Sequence, residues 1–405
     1  MTKTVRDTAS AAEESFNKHY AAIWGEERWA SLYRALAYPT RYAALVNRYT
    51  QYIYFHQALA RDGGPKSSLG VDGAEPTNDL QPLDFPTVQG GDEKSGIVCF
   101  ARSSPASGDD DDDSATSEQS TKPDFPQPRP ATARSTQPLS HWNLDAASVL
   151  VARLLDVRPG DSVLDLCAAP GGKSIALAQT LWPEFYANRP SAPRSPSARL
   201  VCNEVDGQRQ KRLAENLKAY LPSELFTRGS VVATKVDATQ SGSAALNGLL
   251  AGGAYDKVLV DAPCSSERHI IHARVQAKQS GKTAPEMANW RAGSSKRLAA
   301  TQVELLMTAL KAVKVGGQVM YATCSVEPTE NDGVIEKMLA LVEKNRKKGS
   351  TWTVELGFGG DETLTSQLEQ WAERTKHGWI VLPDHPSGGR WGPLFFAKMK
   401  KVSLQ

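Results

Sequence analysis

The sequence predicts an α/β protein, a doubly wound and mostly parallel sheet preceded by a helical N-terminal extension. Three observations predict it. After about Asp145, short β-branched runs alternate with amphipathic stretches of ten or more residues. One of those runs, in "DSVLDLCAAPGGKS", breaks into a turn of small residues that opens a helix. Upstream, the period is helical rather than alternating.

Taken in order, residues 1–60 read as the helical region. "AAIWGEERWASLYRAL" and "RYAALVNRYTQYIYF" put Trp24, Trp29, Leu32, Leu36, Ala44, Leu45, Tyr49 and Ile53 at helical spacing, the stripe of a helical layer packed on a neighbour. Residues 61–138 form an acidic, low-complexity insertion rich in Gly, Ser and Pro, with five aspartates at 109–113. Such a composition cannot build a core and predicts disorder, apart from one short strand in "GIVCFARSS". Residues 139–405 make the sheet domain. Strands are expected at 162–166, 200–203, 231–236, 257–260, 318–323 and 394–399, and helices at 173–181, 207–220, 295–313 and 330–344. Two segments interrupt the alternation: "NRPSAPRSPSAR", which reads as a surface loop, and the basic "RVQAKQSGKTAPEMANWRAGSSK", placed where it can touch a substrate.

Composition narrows the function classes. A net charge of +2 over 405 residues leaves bulk electrostatics silent about nucleic acid, although a local basic face stays open. The five cysteines (Cys99, Cys167, Cys202, Cys264, Cys324) are odd in number and include no C-x-x-C pair. That argues against a disulfide framework and a structural metal site, and for a reducing compartment. No apolar run is long enough to span a membrane. The start carries Lys3 and Arg6 but soon reaches Glu13 and Glu14, little of an import leader's acid-free pattern.

The turn after the first sheet strand is the candidate ligand site. Ala168, Ala169, Gly171 and Gly172 allow close backbone approach, and the helix behind them offers free N–H groups. It misses a phosphate-binding P-loop by one position, because Cys167 stands where that loop's first glycine belongs, and it is not G-x-G-x-x-G. A purely structural tight turn is the plain alternative. Acidic residues decide the choice: Glu204, Asp237 and Asp261 follow three later strands. One carboxylate alone is often a helix cap. Three around one sheet edge repel a triphosphate and suit a ribose, an adenine amine and a sulfonium, that is, S-adenosylmethionine.

Cys264 ends the fourth strand in "VLVDAPCSSERHIIH", and Cys324 ends the fifth in "GGQVMYATCSVEPTEN". A right-handed crossover between neighbouring strands brings both thiols to one sheet edge, beside the cofactor turn. Either cysteine alone could be inert core; paired there, they point to covalent catalysis on an unreactive carbon. A thiolate added at carbon 6 of cytosine makes carbon 5 nucleophilic enough to accept a methyl group, and a second thiol then has work in adduct breakdown.

These residues resemble the Sun/Fmu-type (NOL/NOP/Sun-domain) RNA cytosine-C5 methyltransferases through "LDAASVL", "VLDLCAAPGGK", "NEVDGQRQKRLAENL", "VDAPCSSERH", "TQVELL" and "GGQVMYATCS", from about residue 145 to 344. The N-terminal "FNKHYAAIWGEERWASLYRALAYPTRYAALVNRY", the Arg-His after the Pro-Cys motif and "WGPLFFAKMKK" resemble the mitochondrial small-subunit rRNA branch most. The resemblance implies a Rossmann-like class I methyltransferase fold. It makes Cys324 the nucleophile and Cys264 the residue that assists product release. It gives cofactor binding to Cys167, Ala168, Ala169, Pro170, Gly171, Gly172, Lys173, Glu204, Asp237, Ala238 and Asp261. Asp261 would also hold the cytosine amino edge, Lys173 would reach the active centre, and no metal is implied. The implied substrate is rRNA in the mitochondrion, with nucleus or cytoplasm as alternatives. No appended RNA-binding module is legible, so RNA affinity would come from the helical region, the basic segment or a helical-repeat partner protein. Three other readings stay open: a non-catalytic rRNA-binding assembly factor, a tRNA cytosine-C5 methyltransferase, and a P-loop-like NTPase.

Overall fold

The computed structural model describes residues 3–60, 80–88, 97–102, 125–128, 137–187, 197–251 and 255–404. The acidic run at 109–113, most of the insertion expected to be disordered and most of "NRPSAPRSPSAR" lie outside these residues.

The chain opens with two helices, α1 (Lys3–Trp24) and α2 (Glu26–Ala37), hinged at Gly25, whose φ of +84° a side chain rarely adopts. Phe16, Tyr20, Trp29, Leu32 and Leu36 are buried in their seam. The helical reading fails after that. Pro39 removes a donor and disfavours helix at Tyr38, and the chain continues into a strand, β1 (Ala43–Val46), before α3 (Tyr52–Ala60). Ala44 and Leu45 therefore lie in a strand. All four β1 residues are buried, and a short, wholly apolar run has no period to separate strand from helix. Ile53, expected on the buried stripe, is 52% exposed.

Inside and after the insertion come β2 (Leu80–Pro82), β3 (Cys99–Arg102) and β4 (His141–Leu144), which with β1 form an antiparallel sheet in the order β2-β3-β1-β4. β3 is the strand expected in "GIVCFARSS"; β2 and β4 were not legible, being short and half polar.

From α4 (Ala146–Leu154), capped by the Asp145 side chain on the Ala147 N–H, the expected alternation takes over. In chain order follow β5 (Ser162–Asp165), α5 (Gly172–Leu181), β6 (Arg199–Asn203), α6 (Gly207–Tyr220), α7 (Ser223–Thr227), β7 (Val231–Thr234), α8 (Ala244–Ala251) and β8 (Tyr255–Asp261). Next are α9 (Glu267–Gln279), α10 (Pro285–Ala288), α11 (Ser294–Ala312), β9 (Val313–Thr323), α12 (Asp332–Arg346), β10 (Trp352–Leu356), α13 (Glu362–Leu368), β11 (Glu373–Arg374), β12 (Trp379–Val381) and β13 (Leu394–Ser403). The sheet runs β7-β6-β5-β8-β9-β13-β12-β11, with β10 beside β13. Strands β5 to β9 are parallel, and β13 returns antiparallel to β9.

Strand order reverses at β5, between β6 and β8, and that is where an open parallel sheet leaves its crevice. Successive strand residues feed opposite cores. Leu259 packs with α4, α5 and α6, whereas Val258 and Val260 pack with α11, α12 and the N-terminal helices. The basic segment at 274–296 holds the end of α9, all of α10 and the start of α11, with Arg274 on Glu13 at 2.7 Å and Trp290 packed edge-on to Phe16; just before it, His272 lies on the Tyr38 carbonyl at 2.8 Å.

Candidate active site

One buried amide organises the cofactor side of the sheet edge. Asn203, at the tip of β6, donates to the carbonyls of Leu166 (3.1 Å) and Val236 (2.9 Å) and accepts from Thr234 Oγ1 and the Val236 N–H (2.9 Å each). The ends of β5, β6 and β7 are thereby fixed relative to one another. The loop between β5 and α5 is pinned at each step: Ala168 N–H to the Asn203 carbonyl (2.8 Å), Arg209 to the Ala169 carbonyl (3.0 Å), and Asn216 to the Pro170 carbonyl (2.8 Å). Gly171, with φ of +117°, caps α5. The need for glycine at 172 comes from packing: a Cβ there would lie 2.6 Å from the Trp142 indole nitrogen.

Glu204 is buried, 3% exposed, with one oxygen on the Asp206 N–H (3.0 Å) and the other 3.4 Å from Arg209. Asp237 closes a local turn, accepting from the Thr239 N–H (3.0 Å) and hydroxyl (2.6 Å), and those bonds hold its carboxyl below the usual carboxylate range. Ala238 is buried, its carbonyl held by Thr308 of α11 at 2.8 Å. Burial, followed by the nearby Asp165 carboxylate, pushes the Cys167 thiol well up, so it stays an unionised wall of the crevice.

Across β5 lies the second half. Lys173, mostly buried on α5, donates to Asp261 Oδ2 at 2.7 Å and Ser148 Oγ at 2.9 Å. Burial opposes its charge, but contact with Asp261 more than offsets that and its pKa is raised; Lys173 is an ammonium already spoken for. β8 and β9 are parallel neighbours with Asp261 opposite Ala322, and the loops beyond them carry Cys264 and Cys324. The two sulfurs are 3.0 Å apart, unbonded, each half-buried.

Ser266 sits in the left-handed region, φ of 53°, and sets its hydroxyl 2.8 Å from Cys324 Sγ and 3.7 Å from Cys264 Sγ. The hydrogen bond between the thiols is the largest influence on both. It lowers the pKa of Cys324, with the Ser266 contact adding to it against burial. It raises that of Cys264 well above the ordinary value, with burial adding. Cys324 is thus the readier thiolate and Cys264 the proton holder.

The geometry brings Cys264, Cys324, Asp261 and Lys173 to one edge, and places Glu204, Asp237 and the 167–172 loop on the other side of β5 at the same strand ends. Several contributors were not foreseen. Ser148 supports Lys173. Asp145, which accepts from the Gly392 N–H at 2.9 Å, lies 3.9 Å from Arg268. Ser265, Ser325, Glu267 and Tyr20 bind one another behind the thiols. The one sequence signal for that last group is the repeated Cys-Ser pair at 264–265 and 324–325. Among the described residues, no group of three or more His, Cys, Asp or Glu side chains is arranged to hold a metal.

Residues 152–376, more than half of the chain, match the family model for 16S rRNA methyltransferase RsmB/F. The chain is 33% identical to the mitochondrial tRNA (cytosine(34)-C(5))-methyltransferase of Mus musculus, over 64% of each protein. With the protein of that name from Danio rerio it shares 29% identity over 99% of this chain and 90% of the other. It is 31% identical to the 5-cytosine rRNA methyltransferase NSUN4 of Xenopus tropicalis, over 69% of this chain and 60% of that one. The chain thus spans somewhat less than two thirds of the mouse and frog relatives. In fold it is similar to a crystal structure of NSun6 from Pyrococcus horikoshii with SFG, with a TM-score of 0.56 at 18% identity over 96% of this chain and 98% of that one. The sequence match, with the parallel sheet and its two cysteine loops, places this chain in the RsmB/F methyltransferase family.

Proposed function

We propose that the chain is an S-adenosylmethionine-dependent RNA methyltransferase that forms 5-methylcytosine, in mitochondrial small-subunit rRNA, through a covalent bond between Cys324 and carbon 6. The observation that carries the reading is the thiol pair at 3.0 Å on adjacent strand tips, where the hydrogen bond between the sulfurs lowers the pKa of Cys324 and raises that of Cys264.

The crevice suits this cofactor by the chemistry of its donors. Glu204 offers a buried carboxylate to ribose hydroxyls, Asp237 lies one strand further, and residues 167–172 supply a wall of small side chains. Lys173, the one cation in the loop motif, is paired with Asp261, which counts against an NTPase that would need that lysine for its triphosphate. When bound, S-adenosylmethionine supplies an electrophilic methyl group. The chain's own residues do the rest. Cys324 sulfur bonds to carbon 6 of the cytosine, and the electrons of the 5,6 double bond become available at carbon 5. Asp261, with Lys173 behind it, faces the amino edge of the base. After methylation a water molecule takes the carbon 5 proton, the electrons of that C–H bond re-form the 5,6 double bond, and the carbon 6–sulfur bond breaks with its pair on Cys324, which leaves as a thiolate with Cys264 assisting release. The target base must leave any stack to reach sulfurs at a strand tip, which favours single-stranded or incompletely folded RNA.

A tRNA cytosine is the second reading, favoured by the likeness to the zebrafish tRNA enzyme over nearly the whole chain. The mitochondrial relatives support that compartment. A helical-repeat partner that lends RNA affinity belongs to the same proposal, and co-purification of the tagged chain tests it. The decisive experiment for function incubates purified protein and methyl-labelled cofactor with rRNA and, separately, tRNA, then digests the RNA. Labelled 5-methylcytidine in the rRNA arm is expected, and in the tRNA arm alone it selects the second reading. Binding of rRNA with no label in either arm selects the assembly factor.

A further inference from the structure

Each thiol is followed by a serine, and the two serines meet: Ser265 Oγ lies 2.9 Å from Ser325 Oγ. Beneath them sits Glu267, the first residue of α9, with no exposed surface. Its Oε1 accepts from the hydroxyls of Ser265, Ser325 (3.3 Å) and Tyr20 (2.8 Å), and its Oε2 accepts from the Val326 N–H (2.9 Å). One carboxylate thus holds the Cys264 loop, the Cys324 loop and the N-terminal helix α1. Neighbouring contacts run the same way. Trp24 donates to the Val326 carbonyl (3.2 Å), His19 meets Glu327 (2.7 Å), and Glu330 accepts from the Ser265 N–H (3.1 Å) and from Gln302 (2.8 Å).

We propose that Glu267 is a positioning residue: a buried acceptor that clasps the two Cys-Ser loops together, with Tyr20 of the N-terminal helices closing the clasp, and so sets the separation of the two sulfurs. The inference rests on the reading of the thiol pair as catalytic. A carboxylate is the one side chain that is acceptor at every lone pair, and here every partner is a donor. The Tyr20 phenol remains a donor, because burial and then the Glu267 charge push its pKa up. Glutamine has the same shape but a single acceptor oxygen: with that oxygen on the Val326 N–H its two N–H groups cannot serve three hydroxyls, and with it on the hydroxyls an N–H faces the Val326 N–H, so a contact of the clasp is lost either way. The N-terminal helices are then part of the catalytic apparatus, with no need for them to touch the substrate.

Two readouts test this. The first is the pH dependence of alkylation at Cys264 and Cys324, resolved by peptide mass spectrometry and independent of RNA. The second is the rate at which a Cys264→Ala protein forms a covalent adduct with rRNA or tRNA. In Glu267→Gln the alkylation midpoint of Cys324 should move up toward that of a free thiol, because loss of the Cys264 hydrogen bond outweighs removal of the Glu267 charge, which acts the other way. The adduct rate should fall about a hundredfold, the scale of an ångström-level misplacement, while cofactor affinity stays within about twofold because the loop at 167–172 is untouched. Tyr20→Phe removes one donor from the far side and should shift both readouts the same way by less; if Glu267→Gln does not fold, Tyr20→Phe decides alone. Unchanged midpoint and rate in the folded variants would overturn the clasp. Absence of any adduct from Cys264→Ala with Glu267 intact would strike the catalytic reading instead, and the alkylation profiles would still judge the clasp.

Discussion

The two halves of the strand-tip edge are built on different principles. On the cofactor side, β5, β6 and β7 present a loop of small residues, and what holds it is close by: the Asn203 amide, the Asp237–Thr239 turn, and the Arg209 and Asn216 side chains of the adjacent helix. On the thiol side, β8 and β9 present two loops that bind each other and also Tyr20, Trp24 and His19 of α1, hundreds of residues away in the chain. The first half, which the proposal gives to the cofactor, is one that a single supersecondary unit can make. The second, which it makes the reactive centre, is tied through Glu267 to a separate helical layer.

That contrast can be broken or sharpened. The heaviest blow should come from Phe16→Ala, which hollows the aromatic seam of Phe16, Tyr20, Trp29 and Trp290 and should cost about 3–5 kcal/mol in denaturant unfolding. Cofactor affinity of the folded fraction should not change; a parallel loss would mean the halves are not separable. Lys173→Met leaves Asp261 without its partner and should cut turnover by about 10²–10³-fold, as loss of a preorganised charge does. Single-turnover rates check it. Glu204→Gln should weaken cofactor binding by about tenfold, measured calorimetrically, with the alkylation profile of the thiols unmoved.

The gentlest effect has a sign. The hydrogen bond from Cys264 lowers the pKa of Cys324, so Cys264→Ala should raise it. Alkylation of Cys324 would then begin at higher pH than in the wild type. A midpoint moving to lower pH would reverse the assignment of thiolate and thiol.

What the sequence disclosed follows the same division. The β5 turn, the alternation after residue 145 and the acidic strand ends are local patterns, and the strand tips sit where they predict. Cys264 and Cys324, 60 residues apart, could be paired in advance because parallel neighbours joined by a right-handed crossover must share an edge. Glu267 could not be found that way. It reads as an ordinary acidic first-turn residue of a helix, and only its contacts with Tyr20 and Val326 reveal it. The misread strand at 43–46 failed for the opposite reason: a short apolar run without period holds no local information about its own geometry.

The central claim is that two sulfurs of unequal character act on one cytosine ring. Its most direct measurement is denaturing electrophoresis of Cys264→Ala and Cys324→Ala proteins after incubation with RNA and S-adenosylmethionine. Cys264→Ala should run as a covalent protein–RNA species that nuclease collapses, and Cys324→Ala should give neither adduct nor methylated RNA. An adduct from Cys324→Ala and none from Cys264→Ala would contradict the claim.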